Sequence, residues 1–173
     1  MARRTPSPAA RRLAPLLALA LTLGACGFQP MYGATGSDTV AVAQELQSIR
    51  VATIADRSGQ VLRNYLLDRL TPRGRPAQPR YTLEITLAET VTRLSILRDD
   101  TALRQQLVMN ASYRLLGADG KVVLSGTSRS LKGYNKPDEQ YAVLVTEQDA
   151  RERVLREIGE DIINRLGVHF AKA

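Results

Sequence analysis

The chain has little of what disulfide bonding and helical membrane crossing require. It contains one cysteine and no tryptophan among its 173 residues. A lone cysteine leaves no partner for an intramolecular disulfide, so stability must come from packing and hydrogen bonds. The only long apolar run spans residues 13–25 and contains Pro15, whereas a membrane-spanning helix needs roughly 20 apolar residues. The sequence therefore predicts neither a disulfide nor a spanning helix.

Residues with catalytic or metal-binding chemistry are equally sparse. The only histidine, His169, lies near the end of the chain, where fraying is expected, and the sequence indicates no nucleophile or orienting partner for it. Asp99 and Asp100 have no further ligand at metal-binding spacing, so a hairpin tip is the simpler interpretation. The segment 126–130 lacks the spacing and lysine of a phosphate-binding loop. We therefore expect a protein that is not an enzyme and has no cofactor or metal.

The N-terminus is basic, then apolar, and ends in small residues before Cys26. This order is typical of a secretory signal. The segment Leu23–Cys26, with sequence LGAC, matches the bacterial lipobox, in which the cysteine sulfur receives a diacylglycerol and becomes the new N-terminus after cleavage. We therefore expect residues 1–25 to be a lipoprotein signal peptide. Two or three acyl chains, at about 0.8 kcal/mol per buried methylene, anchor a protein stably where one does not.

The signal segment also accounts for most of the basic charge. The whole chain has a formal net charge of +7, and the signal carries Arg3, Arg4, Arg11 and Arg12 but no acidic residue. The charge that remains after cleavage is ordinary for a domain of this size. It gives no support to nucleic-acid binding.

Glycine and proline interrupt the segment that follows the signal. Residues 26–45 are therefore expected to be a lipidated, flexible tether, with no packed element before about Glu45. Residues 46–173 are expected to form a single domain. Within residues 46–55, β-branched residues predict a short strand. Asp56–Gly59 predicts a turn and helix cap, followed by a helix of roughly 12 residues whose apolar positions recur every three or four residues; these are Val61, Leu62, Tyr65, Leu66 and Leu70.

The next region changes to the two-residue period of strands. Apolar residues alternate from Tyr81, and a phase slip near residues 90–93 indicates a bulge. A second strand alternates with its apolar side at Leu107, Met109, Ala111, Tyr113 and Leu115. Asp119-Gly120 predicts a hairpin turn, and a third strand follows over residues 122–131. Residues 134–138 are expected to break the sheet.

A last helix is predicted from Gln140 or Thr146 to Leu166. Its apolar stripe consists of Val154, Leu155, Ile158, Ile162 and Leu166 with the stem of Arg151. The predicted class is α+β, in the order βαβββα, with two helices packed on one face of a mostly antiparallel four-stranded sheet. The other face of the sheet is expected to be polar, with Thr82, Glu84, Thr86, Gln106, Asn110, Ser112, Ser128 and Ser130.

The segment Cys26–Gly33, with sequence CGFQPMYG, resembles the CGF(x)PLYG opening of lipopolysaccharide-assembly lipoproteins of the LptE type. Tyr134-Asn135, Tyr141-Ala142 and the segment 149–153 are also similar to that family, as is the predicted element order. The resemblance implies an outer-membrane lipoprotein on the periplasmic side. Such a protein plugs the LptD β-barrel, assists its assembly and takes part in inserting lipopolysaccharide into the outer leaflet. Gly27, which follows the lipidated cysteine, agrees with outer-membrane sorting.

Lipopolysaccharide carries phosphates and carboxylates on its inner sugars, so a contact site should combine Lys or Arg with apolar surface. Basic residues flank apolar ones near the predicted hairpin tip and on both sides of Tyr134. The candidate lipopolysaccharide contacts are Arg93, Arg98, Arg104, Lys132 and Lys136. These residues are also compatible with an ordinary solvated surface, and no functional position of the family is carried over onto them.

A second function fits the same sequence. A periplasm-facing lipoprotein could bind a peptide or a lipid on its own, without a barrel partner. Such a protein should purify alone and monodisperse after mild detergent extraction. The barrel partner is therefore the feature that separates the two hypotheses.

We expect Cys26→Ala to abolish lipidation, because the chain has no other thiol to receive the diacylglycerol. The product would be an unanchored or uncleaved precursor. Metabolic labelling with radioactive palmitate measures this directly, and label that persists in the variant would contradict the lipoprotein assignment.

Overall fold

The protein folds as three helices and a four-stranded sheet in a computed structural model that describes residues 37–96, 103–136 and 139–172. The elements are α1 (Ser37–Gln47), β1 (Ile49–Val51), α2 (Asp56–Leu70), β2 (Tyr81–Ile96), β3 (Leu103–Gly117), β4 (Val122–Lys136) and α3 (Gln140–Lys172). The predicted α+β class and the order βαβββα are confirmed from β1 onward. Helix α1 is an addition that the sequence analysis did not predict.

Helix α1 lies inside the segment expected to be a tether. It begins at Ser37, so the expectation that no packed element precedes about Glu45 is wrong. Leu46 packs against the hydrophobic core, and Glu45 forms an ion pair with Arg80, directly before β2. The glycines and prolines that indicated a flexible tether all precede residue 37. The prediction was wrong because it extended the tether beyond Gly36, the last of these glycines and prolines.

The sheet has the strand order β1-β2-β3-β4, with β1 parallel to β2 and the other pairs antiparallel. The predicted Asp119-Gly120 turn joins β3 to β4, and Gly120 has a φ of 75°, which glycine adopts without strain. The predicted bulge is confirmed as a register shift between Arg93 and Ser95, at the far end of the expected region. Strand β2 is therefore interrupted near its tip.

Strand β4 is longer than predicted, so the expected break at residues 134–138 is wrong for its first part. Tyr134 stands opposite Gln105 in the β3–β4 ladder, and its hydroxyl donates a 2.7 Å hydrogen bond to Gln105 Oε1. Tyr134 is buried at 7% exposure. Its polar neighbours Asn135 and Lys136 gave a loop-like composition, but the buried aromatic ring keeps the strand in the sheet.

The core forms between the sheet and the helices α2 and α3. All five predicted apolar residues of β3 are buried, and so is the predicted apolar stripe of α3. Helix α2 begins at Asp56 after Ala55, which makes no side-chain capping bond, so the predicted polar cap is absent. Its residues Leu62, Leu66 and Leu70 enter the core. The periodicity of the sequence therefore predicted the core residues of β3 and α3 correctly.

Helix α3 is much longer than α2 and extends past it. It has 33 residues and α2 has 15, so the two are about 50 Å and about 22 Å long at 1.5 Å per residue. The helices touch where Tyr65 crosses Gly159: a Cβ at Gly159 would lie 2.5 Å from the tyrosine ring. The first turn of α2 lies beside residues 148–155 of α3. The N-terminal third of α3 therefore covers the sheet without a neighbouring α2.

Ser128 and Ser130 lie on the helix side of β4, which corrects their predicted place on the polar outer face. They stand opposite Ala111 and Met109 of β3, both buried, and are themselves 3% and 7% exposed. The prediction assumed that the polar residues of β4 lie on the outer side of the sheet, as those of β2 and β3 do. Small hydroxyl side chains fit here because α3 passes directly above them and supplies polar partners.

We expect Ile158→Asp to destabilise the domain by about 3–5 kcal/mol, because the variant buries an unpaired carboxylate. Ile158 has 0% exposure. Arg156→Asp introduces the same side chain at an exposed position of the same helix and should change stability by less than about 1 kcal/mol. Thermal unfolding of both variants measures the difference. Equal melting temperatures would show that this stripe of α3 is not buried.

Candidate functional site

Three of the predicted basic residues, Arg93, Arg104 and Lys132, lie at the end of the sheet where β2 ends and β3 begins, which we call the distal end. Arg93 ends the regular part of β2, Arg104 is the second residue of β3, and Lys132 lies near the end of β4. The ladder places Arg93 and Lys132 on the helix side, since their partners are Gln105 and Leu107, whereas Arg104 lies on the outer side. The structure therefore brings these residues to one end but not to one face.

Three of the sequence-predicted positions have limited or no structural description. Cys26 and Arg98 lie outside the described residues. Lys136 is the last residue of β4, opposite Leu103, and only its backbone position is described. Their predicted roles therefore stay predictions.

Lys132 is held by an acidic residue of α3. Its ammonium forms an ion pair with Glu157 Oε1, and Ser130 Oγ donates a 2.6 Å hydrogen bond to Glu157 Oε2. The hydrogen bonds from Lys132 and Ser130 lower the pKa of Glu157 below its ordinary value. The side chain of Lys132 is 37% exposed and that of Glu157 is 47% exposed. An anion from outside can therefore reach Lys132 and compete with Glu157.

A cleft of about 390 Å³ opens beside this pair, between β4 and the first third of α3. We call it the β4–α3 cleft; it is lined by Lys132, Gly133, Tyr134, Asn135, Thr146, Asp149, Ala150 and Arg153. Arg153 forms an ion pair with Asp149 one turn before it. The two cations of the cleft are thus each paired with a carboxylate of the helix. Arg153 was not among the predicted contacts, although its place in a segment similar to the family could have suggested it.

Arg151 joins α3 to β2 on the other flank of the helix. Its guanidinium donates to both carboxylate oxygens of Glu89, at 3.0 Å and 2.8 Å, and to Glu147 at 2.8 Å. These bonds, those with Glu89 above all, raise the pKa of Arg151. Arg151 was predicted to contribute only its apolar stem, so its ion pairs with Glu89 and Glu147 are a role that the sequence did not predict. The four-residue spacing between Glu147 and Arg151 could have predicted their ion pair from the sequence. The contact between Arg151 and Glu89 of β2 depends on the fold.

The outer face of the sheet is polar, as predicted for its first two long strands. Thr86, Asn110 and Ser112 are exposed, and Arg114 donates a 2.9 Å hydrogen bond to Glu84 on the neighbouring strand. Leu131, on the outer side of β4, is 48% exposed. This face therefore offers mostly hydroxyl, amide and charged groups with a small apolar contribution.

Within residues 37–96, 103–136 and 139–172, no helix combines the length and apolarity needed to cross a membrane. The same residues contain no group of three or more His, Cys, Asp or Glu that could hold a metal ion.

The fold is similar to those of solved bacterial lipoproteins. A crystal structure of a "putative lipoprotein" from Caulobacter crescentus CB15 aligns with 78% of this chain and 99% of its own, at 25% identity and a TM-score of 0.65. The solution structure of an uncharacterized lipoprotein B from Nitrosomonas europaea aligns with 69% of this chain and 80% of its own, at 15% identity and a TM-score of 0.51. The fold is therefore that of a class of lipoprotein domains.

The family within this class follows from the sequence. The family model "LptE: Lipopolysaccharide-assembly" matches residues 46–166, which run from the end of α1 through most of α3. The chain belongs to this LptE lipopolysaccharide-assembly family, and the predicted resemblance is confirmed. No curated protein gives a significant match to the chain.

Proposed function

We propose that this protein is an outer-membrane lipoprotein that acts in the transport and insertion of lipopolysaccharide. Acyl chains on Cys26 anchor it on the periplasmic side of the outer membrane. It serves there as plug and assembly partner of an LptD-type β-barrel. The match of the family model to residues 46–166 carries this proposal, and the lipobox before Cys26 supports the anchor.

The outer face of the sheet suits the inside of a barrel. Lumen-facing side chains of such barrels are polar, and Thr86, Asn110 and Ser112 offer hydroxyl and amide groups that can form hydrogen bonds with them. An antiparallel sheet with one solvated face is polar in any case. The face is therefore compatible with a barrel lumen, while the family match remains the argument for one.

The β4–α3 cleft is the proposed contact for the anionic groups of lipopolysaccharide. Phosphate oxygens compete with carboxylates for Lys and Arg donors, and the side chain of Lys132 retains 37% of its surface exposed beside Glu157. Binding would exchange the Lys132–Glu157 pair for a Lys132–phosphate pair. The ion pair therefore sets the strength of the contact, because the anion must displace Glu157.

Detergent pull-down of the native lipoprotein tests the barrel partner. We expect a large β-barrel to co-elute after mild extraction and to be identified by mass spectrometry. Depletion of the lipoprotein should lower the amounts of assembled barrel and of surface lipopolysaccharide. Elution alone as a monodisperse species, with both amounts normal, would instead support a stand-alone lipoprotein that binds a peptide or lipid.

Lipopolysaccharide titration of variants tests the cleft. Lys132→Gln together with Lys136→Gln should weaken binding about tenfold, which corresponds to about 1.4 kcal/mol. Glu157→Gln should strengthen it, because the competing carboxylate is removed. Lys121→Gln is the matched control, since Lys121 also pairs with a carboxylate, Asp119, at 3.3 Å but lies in the β3–β4 turn. Unchanged affinity in the first two variants would remove the cleft from the proposal.

A further inference from the structure

The helix layer is incomplete over the distal half of β2. Helix α2 begins beside residues 148–155 of α3, and α3 continues alone toward the distal end. Apolar side chains on the three elements around this gap stay exposed: Val61 of α2 at 37%, Val91 of β2 at 44% and Leu144 of α3 at 61%. A two-layer fold normally buries such side chains beneath a second helix. Here the second helix does not reach them.

An open groove of about 560 Å³ occupies this gap, and we call it the α2–α3 groove. It is lined by Asp56, Arg57, Ser58, Val61, Glu89, Leu144, Glu147, Gln148, Arg151, Glu152 and Leu155. It lies on the flank of α3 opposite the β4–α3 cleft, because the two sets of α3 residues fall on opposite sides of the helix at 3.6 residues per turn. The groove is therefore a surface separate from the proposed lipopolysaccharide contact.

The start of α3 extends the apolar character of the groove outward. Tyr141 and Val145 are 79% and 51% exposed, and with Leu144 they follow the helical spacing i, i+3, i+4 that places residues on one side. Large apolar side chains grouped in this way on a surface commonly mark an interaction site.

The rim of the groove is acidic. Four carboxylates line it, those of Asp56, Glu89, Glu147 and Glu152, against the guanidiniums of Arg57 and Arg151. Arg151 is already bound by Glu89 and Glu147. Within the described part of the chain, Asp56 and Glu152 form no ion pair with a basic residue. The groove therefore combines exposed apolar side chains with an excess of negative charge.

We propose that the α2–α3 groove binds a cationic amphipathic segment of a partner protein. Apolar side chains of that segment pack on Val61, Val91 and Leu144, and its lysines or arginines pair with Asp56 and Glu152. Charge complementarity selects this occupant. An anionic lipid headgroup would be repelled by the carboxylates, and a second copy of this chain would bring the same acidic rim against itself. The inference goes beyond the proposed function and uses neither the barrel nor lipopolysaccharide.

Peptide binding to the intact lipoprotein tests the groove. The protein is placed in nanodiscs of neutral phosphatidylcholine, and empty discs give the background. The probe is a fluorescent 14-residue peptide of leucine and lysine at helical spacing, and its partner probe replaces every lysine with glutamate. We expect the lysine peptide to bind with micromolar affinity, to weaken with salt, and to exceed the glutamate peptide by at least about tenfold.

Variants at exposed positions locate the binding site. Leu144→Ser and Glu152→Lys should each weaken lysine-peptide binding by about tenfold or more. The matched controls are Val168→Ser, an exposed apolar residue at the other end of α3, and Asp68→Lys, an exposed carboxylate of α2 outside the groove. Both controls should bind like the wild type. Melting temperatures show whether each variant is folded, and Val61→Ser replaces a groove variant that is not.

Three results would overturn the proposal. The first is equal binding of the two peptides, or binding no greater than that of empty discs. The second is an equal loss in the groove variants and their controls. The third is a concentration-dependent dimer in sedimentation that Leu144→Ser abolishes, which would assign the groove to a second copy. None of these results bears on the barrel pull-down, so the two proposals fail independently.

Discussion

The structure depends on the burial of one apolar stripe of α3 against alternate residues of β3. Ile158 and Ile162 on the helix and Met109 and Ala111 on the strand are fully buried. At about 25 cal/mol per Å² of apolar surface, burial of the core to which these residues belong is the main favourable contribution to stability. It fixes the direction of α3 across the sheet. The groove exists because the helix continues past the point where α2 begins.

A polar seam along β4 complements that apolar contact. Lys132 and Ser130 hold Glu157, and farther along the helix Asp161 has a similar environment. Burial alone would raise the pKa of Asp161, but hydrogen bonds from Ser128 and Arg165 lower it. Small serine side chains allow the helix to approach β4, and the helix carboxylates satisfy their hydroxyls. The seam therefore acts together with the apolar stripe in orienting α3 about its axis.

Sequence periodicity correctly predicted the features that depend on a single helix or strand. The two-residue period of β3 and the helical spacing of α3 identified the core residues, and Asp119-Gly120 identified the hairpin. Helix α1 was missed because it directly follows a segment interrupted by glycine and proline. The inward phase of Ser128 and the Arg151–Glu89 contact were missed for another reason: each depends on which element packs above a strand. The cleft and the groove could not be predicted, since the cleft depends on how α3 packs against β4 and the groove on the length difference between α2 and α3.

The two flanks of α3 differ in how their basic and acidic side chains are paired, and this difference links the two proposed sites. On the β4 flank each cation has a carboxylate partner on α3, as in Lys132–Glu157 and Arg153–Asp149, so an incoming anion exchanges one partner for another. On the β2 flank Arg151 is saturated by Glu89 and Glu147, which leaves surplus carboxylates for an incoming cation. Opposite flanks of one helix do not compete for space. An anionic glycolipid and a basic protein segment could therefore occupy them together, with α3 as the common wall.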